Sequence, residues 1–157
     1  MVSNKSALLG GLIAGVVTTG VMIAGRKSGL LHKTLDRDAV DWIDRTTGSR
    51  AVIGEAGTSL VEFGNHLGAS AAFALGYAQL RRALPDTSPV LLGAVYGAGL
   101  YAVNIAGIAP LLGITQGARE AGAATASERL GLHLLQTVLT ALLAERFNLE
   151  AQARGAG

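Results

Sequence analysis

The sequence predicts an all-α protein: a four-span transmembrane helical bundle with a juxtamembrane amphipathic helix after the first span. Three observations carry that prediction. Only 15% of the 157 residues are charged, against about 25% in an ordinary soluble domain. The charges are also bunched, leaving uncharged blocks at residues 6–25, 63–80, 87–118 and 130–144. A span needs about 20 mostly apolar residues to cross about 30 Å of hydrocarbon. The first and third blocks meet that length outright, and the second and fourth meet it once Leu60 and Val61, or Phe147, are counted. Lastly, basic residues stand in pairs beside apolar blocks, as in Arg26-Lys27 and Arg81-Arg82, where interfacial anchors belong. The net charge of +2 therefore implies no nucleic-acid partner, since no basic stripe interleaved with aromatics accompanies it.

The elements follow in order as one membrane domain covering residues 1–157. Span one, about 7–25, reads "ALLGGLIAGVVTTGVMIAG", with Gly11 and Gly15 on one helix face. Small residues at that spacing let helix backbones approach in lipid. The segment resembles a secretory signal in outline, but its apolar run is long and Arg26 stands where small residues should flank a cut, so it is read as a retained span. Residues 29–47 then alternate Leu31, Leu35, Ala39, Trp42 and Ile43 with a charged face of Lys33, Arg37, Asp38, Asp41, Asp44 and Arg45. This amphipathic helix either lies in the interface with Trp42 at headgroup level or caps the loop ends. His32 reads as a surface residue. Gly48, Gly54 and Gly57 mark residues 47–58 as loop. Span two, about 59–80, places Gly64, Gly68, Ala72 and Gly76 at four-residue intervals along one smooth ridge. A turn, "LPDTSP", leads to span three, about 90–112, where Gly93, Gly97, Tyr101 and Asn104 share a face and Pro110 sits near the end. A second loop returns the chain to span four, about 127–147, with Ser127 as N-cap.

Titratable residues inside a span are expensive and ask for a functional explanation. Glu62 and His66 share a face of span two, near Asn65; in span four, His133, Gln136, Thr137 and Thr140 form a polar stripe beginning after Glu128. His66 and His133 lie at matching depth, about 7 Å from the middle of their helices. Four readings follow. Two imidazoles could hold haem b between helices. Glu62, His66, Glu128 and His133 could hold a divalent metal such as zinc or iron. The same polar line, with Asn104 near mid-bilayer, could pass protons or ions. Or these side chains, with Gln136, simply hydrogen-bond across helices and fix the packing of a structural or accessory membrane subunit, which is the leading expectation. Its partners would be the lipid bilayer, copies of itself or a larger membrane complex. With no cysteine, thiolate sites and disulfides are excluded, and no nucleophile-elbow, phosphate-loop or zinc-protease motif occurs.

Lys and Arg number eight on the side of the first and third loops and five on the other, which leans those two loops toward the cytoplasm. The opening "GGLIAGVVTTGVM", the amphipathic insert and the last span "LGLHLLQTVLTALLAERF" together resemble the YagU-like group of small bacterial inner-membrane proteins. That resemblance implies an inner-membrane location and transfers no catalytic residues.

Overall fold

Ser3 sets the start of the first helix: its side chain accepts a hydrogen bond from the Ser6 amide, satisfying one of the donors a helix N-terminus leaves open. In the computed structural model, which describes residues 1–31, 34–115 and 118–155 (118 and 119 in backbone only), this helix, α1, runs Asn4–Lys27. Thr34 caps α2, Leu35–Thr47, in the same way through the Arg37 amide. Gly48 ends it in the left-handed conformation, which only glycine adopts at little cost. α3 covers Ser49–Ala83, α4 covers Pro89–Leu111, and α5 covers Ala118–Gly155. No strand occurs among the described residues.

Several expected boundaries move. The stretch 47–58, expected as loop, is helical on both sides of Gly54, whose φ of 67° and ψ of −178° break α3 at a single residue. The loop expected before the last span is likewise helical from Ala118, interrupted only at Gly122. Ser127 therefore lies inside α5 rather than capping it, because the alanine-rich run before it favours helix irrespective of lipid. The amphipathic helix begins at Leu35 instead of residue 29, after a turn closed by Gly29; His32 and Lys33 lie outside the described residues. Within α4, residues Asn104–Ile108 widen into a π-turn. Pro110 supplies no N–H and its ring crowds the carbonyl four residues back, so the ladder shifts register just ahead of it.

Among the described residues two helices, α1 and α4, are long and apolar enough to cross a membrane. α3 and α5 are not, which departs from the expected four spans. Their uncharged blocks are diluted by Gly and Ala and by polar groups such as His66, His133 and Gln136.

The four long helices run alternately up and down. α1 lies between α3 and α5, and α4 lies on the far side of α5. Glycines set the close approaches. A Cβ at Gly10 would stand 2.7 Å from the Ala144 amide nitrogen, and one at Gly15 would stand 2.6 Å from Ser70 Oγ. Gly11 faces Ala74, while Gly93 and Gly97 face Thr137 and its neighbours on α5. Gly76 meets Tyr96, whose hydroxyl donates to the Phe73 carbonyl across the α3–α4 seam at 3.0 Å. Gly64 and Gly68 depart from the expected packing ridge, since a Cβ at either would enter open space.

Side-chain size is distributed in reverse of a water-soluble core. The interior holds Ala7, Ala14, Ala74, Ala78, Ala141, Ala144 and the hydroxyls of Ser6, Thr18, Ser70, Thr137 and Thr140. The outside carries the large apolar groups. On α1 alone, Leu9, Leu12, Ile13, Val16, Val17, Val21 and Ile23 are each 37–55% exposed.

α2 covers one end of the bundle with its acidic residues turned inward. Asp38 pairs with Arg129 of α5 at 2.7 Å, both nearly buried, and Arg37 reaches Glu62 of α3 at 3.4 Å and Glu55 at 2.6 Å. Of the two arrangements open to the amphipathic helix, this is the cap. The opposite end is closed by Val2, Ala7, Tyr77, Ala78, Leu92, Ala141 and Ala144, packed as one apolar cluster.

Candidate functional site

Beneath the α2 cap the helices border a partly open chamber of about 100 Å³. Its wall takes Thr18 and Met22 from α1, Asp36 from α2, His66 and Ser70 from α3, Asn104 from the π-turn of α4, and Arg129, His133 and Gln136 from α5. His66 and His133, far apart in the sequence, thus line one space. A larger groove between α1 and α3, about 360 Å³, shares Met22, Asp36 and His66 with the chamber and is bordered by Arg26, Ser59, Glu62 and Phe63. His66 and Asp36 stand where groove and chamber adjoin.

The helical spacing explains the inward set. Gly11, Gly15, Thr18 and Met22 recur every three or four residues on one face of α1, and Arg129, His133, Gln136 and Thr140 do the same on α5. His66 Nδ1 lies 3.1 Å from the Asp36 carboxylate and Nε2 lies 3.2 Å from the Gly15 carbonyl. Both partners only accept, so the ring satisfies both when each nitrogen carries a proton. His133 Nδ1 faces the Arg129 carbonyl at 2.8 Å, which places the proton of the neutral ring on Nδ1, and Tyr101 packs edge-on against it with centroids 5.9 Å apart. Gln136 donates to the Gly11 carbonyl at 3.2 Å.

Three polar atoms of this wall are buried without a hydrogen-bond partner: Thr18 Oγ1, Gln136 Oε1 and Arg129 Nε. Thr18 is 1% exposed, Gln136 5% and Arg129 6%. Thr137, Thr140 and Ser70 return their hydroxyls to the carbonyl four residues back, the usual fate of a hydroxyl on a helix; Thr18 does not. Buried polar groups are rarely left unpaired, and each such group costs about 1–3 kcal/mol.

No protein-family model, curated protein or solved structure matches this chain. The site therefore rests on its own geometry.

That geometry bears on the cofactor expectations. Haem ligation needs a free nitrogen on each imidazole, whereas both nitrogens of His66 lie within hydrogen-bond distance of an oxygen. The metal set of Glu62, His66, Glu128 and His133 does not assemble: Glu62 is held by Arg26 at 3.1 Å and by Arg37, and no group of three His, Cys, Asp or Glu able to hold a metal occurs among the described residues. A polar line through the bundle also stops short, because the apolar cluster around Tyr77 and Ala141 fills the far half. Asn65, expected among the inward polar residues, is exposed on the outer face of α3.

Asp36, Thr18 and Arg129 were not in the expected set. For Arg129 a signal existed: it extends the His133–Gln136–Thr140 stripe by one turn. For Asp36 none did, since only the fold of α2 over the bundle brings it to His66.

Proposed function

We propose that this chain is an integral membrane protein with all four long helices in the bilayer, and that it binds a small polar ligand in the chamber between His66 and His133. One observation carries the membrane part: on α1 the large aliphatic side chains face out, while the buried face is made almost wholly of glycine, alanine, serine and threonine. In water, the seven exposed apolar residues of α1, at about 2 kcal/mol for full burial of each, leave about 6 kcal/mol of burial unrealised on one helix. That rivals the total stability of an ordinary domain. In lipid the same arrangement is free of that cost, and small residues are what close helix packing there requires. α3 and α5, though too polar to pass as spans alone, turn Ser70, Gln136, Thr137 and Thr140 to the interior, which supports placing them in the bilayer beside α1 and α4.

The chamber is closed on the terminal side and adjoins the groove on the α2 side, which favours binding over conduction. The excess of Lys and Arg supports a cytoplasmic placement of that side, and a bacterial inner membrane is proposed on the YagU-like resemblance alone. Alkaline carbonate washing of membranes followed by flotation tests the reading. The protein is expected to float with lipid, and a folded monomer in detergent-free buffer refutes it.

A second reading, an accessory subunit of a larger membrane assembly or a homo-oligomer, is favoured by the outer face of α3. There Gly64 and Gly68 leave open space beside the exposed amide of Asn65. Cross-linking through a cysteine at residue 64 tests it.

A further inference from the structure

We infer that His66 is a proton-operated latch between α1, α2 and α3. Charged, it ties the α2 cap to the bundle where groove and chamber adjoin; on losing a proton it lets go of α1 and loosens α2. Two oxygens face its ring nitrogens, the Asp36 carboxylate of α2 at 3.1 Å and the Gly15 carbonyl of α1 at 3.2 Å. A neutral imidazole carries one proton, so in either tautomer a nitrogen lone pair would point at an oxygen within hydrogen-bonding distance. Only the imidazolium fits the arrangement as it stands. His133 differs, because its one close oxygen, the Arg129 carbonyl, is met by a single proton on Nδ1.

The order of release follows from the partners. The Gly15 carbonyl already accepts the Thr19 hydroxyl at 2.9 Å besides an amide of its own helix. The Asp36 carboxylate makes no other hydrogen bond or ion pair among the described residues. The last proton therefore stays on Nδ1, toward the carboxylate, and Nε2 gives up Gly15. Asp36 is then left with a neutral donor in place of a cation, which is a weaker hold.

The other charges around the ring are committed elsewhere. Arg26 of α1 and Arg37 of α2 hold Glu62, one turn before His66 on α3. Arg129 of α5 holds Asp38, His133 of α5 shares the chamber, and α4 brings the neutral Asn104 to it. Asp38–Arg129, Arg37–Glu62 and Asp41–Arg50 also fasten α2 to the bundle. Asp36–His66 alone among these ties contains a side chain whose ordinary titration falls between about pH 5 and 8. Protons reach it along the groove, whose border includes the charged Arg26 and Glu62; the His66 side chain is 13% exposed and that of Asp36 21%.

The test uses the full chain in nanodiscs, isotope-labelled at the histidine nitrogens, with NMR of the rings and amide exchange corrected for the intrinsic effect of pH. The His66 ring, assigned by its loss in His66→Gln, is expected to show two N–H groups on the acid side of its titration and Nδ1–H alone on the alkaline side. Across the same midpoint, exchange over residues 35–47 should quicken roughly tenfold, the weakening of one charge-assisted hydrogen bond. That step should vanish in His66→Gln, shrink in Asp36→Asn and persist in His32→Gln. If His66→Gln fails to fold, Asp36→Asn decides. A ring whose protonation does not change, a last proton held on Nε2, or exchange over α2 that ignores the titration overturns the inference. So does a step that survives undiminished in Asp36→Asn or disappears in His32→Gln.

Discussion

Alanine at Gly97 should destabilise the bundle, while alanine at Gly99, two residues on, should not. A Cβ at Gly97 would overlap Thr137 Oγ1 and come 3.0 Å from the His133 carbonyl oxygen. Neither neighbour gives way easily. The Thr137 hydroxyl is anchored to the His133 carbonyl at 2.8 Å, and that carbonyl is backbone of α5. Forcing a methyl into a full site costs about 1–3 kcal/mol, offset by about 1 kcal/mol of helix propensity gained over glycine. The net is a loss of about 0–2 kcal/mol, a fall of up to roughly 30-fold in the ratio of folded to unfolded protein. At Gly99 nothing stands within 4 Å, so only the propensity gain of about 1 kcal/mol remains. Unfolding in mixed micelles followed by circular dichroism measures both. If Gly97→Ala is as stable as Gly99→Ala, the face that α4 presents to α5 has been misassigned.

Val16→Arg separates lipid from water as the solvent of α1. Val16 is 55% exposed, so in water the change should fall within about 0.5 kcal/mol, whereas in a bilayer it adds about 2.5–3.5 kcal/mol to insertion; a glycosylation-reporter insertion assay reads the difference. Arg129→Met removes the nearly buried partner that Asp38 meets at 2.7 Å and should lower stability, with Asp38→Asn in the same chain recovering part of the loss, measured by the same micelle unfolding. Asp36→Asn weakens the hold on His66 where groove and chamber adjoin. Since the chain contains no native cysteine, a lone Thr18→Cys reporter should then be oxidised faster by hydrogen peroxide, a reagent close to water in size, and an unchanged rate rejects His66–Asp36 as the door.

Pattern and tertiary placement contribute differently here. That the chain is helical, that it carries four long helices and an amphipathic insert, and that His66, His133, Asn104 and Gln136 merit a common site are all legible locally. Helical periodicity and the gaps between charges are properties of neighbouring residues. Helix ends were less legible. Gly54 and Gly122 each interrupt a helix at a single residue, and a glycine in a polar stretch reads equally as loop or as kink.

What one helix presents to another cannot be taken from its own spacing. The ridge of Gly64 and Gly68 looks as suited to packing as Gly11 and Gly15, yet the first faces outward and the second meets Ser70 and Ala74. Both ridges are smooth, and the choice between them is made by shape on the opposing helix. In the same way Asp36, a charge on a surface-like helix, becomes the partner of His66 because α2 folds back with its acidic face inward. The sequence by itself determined the greasy blocks and the helical periodicity, because these depend on covalent neighbours. Only the tertiary structure decided which polar groups share a chamber and which remain unpaired, because pairing depends on distances between segments far apart in the chain, 91 residues for Asp38 and Arg129 and 125 for Gly11 and Gln136.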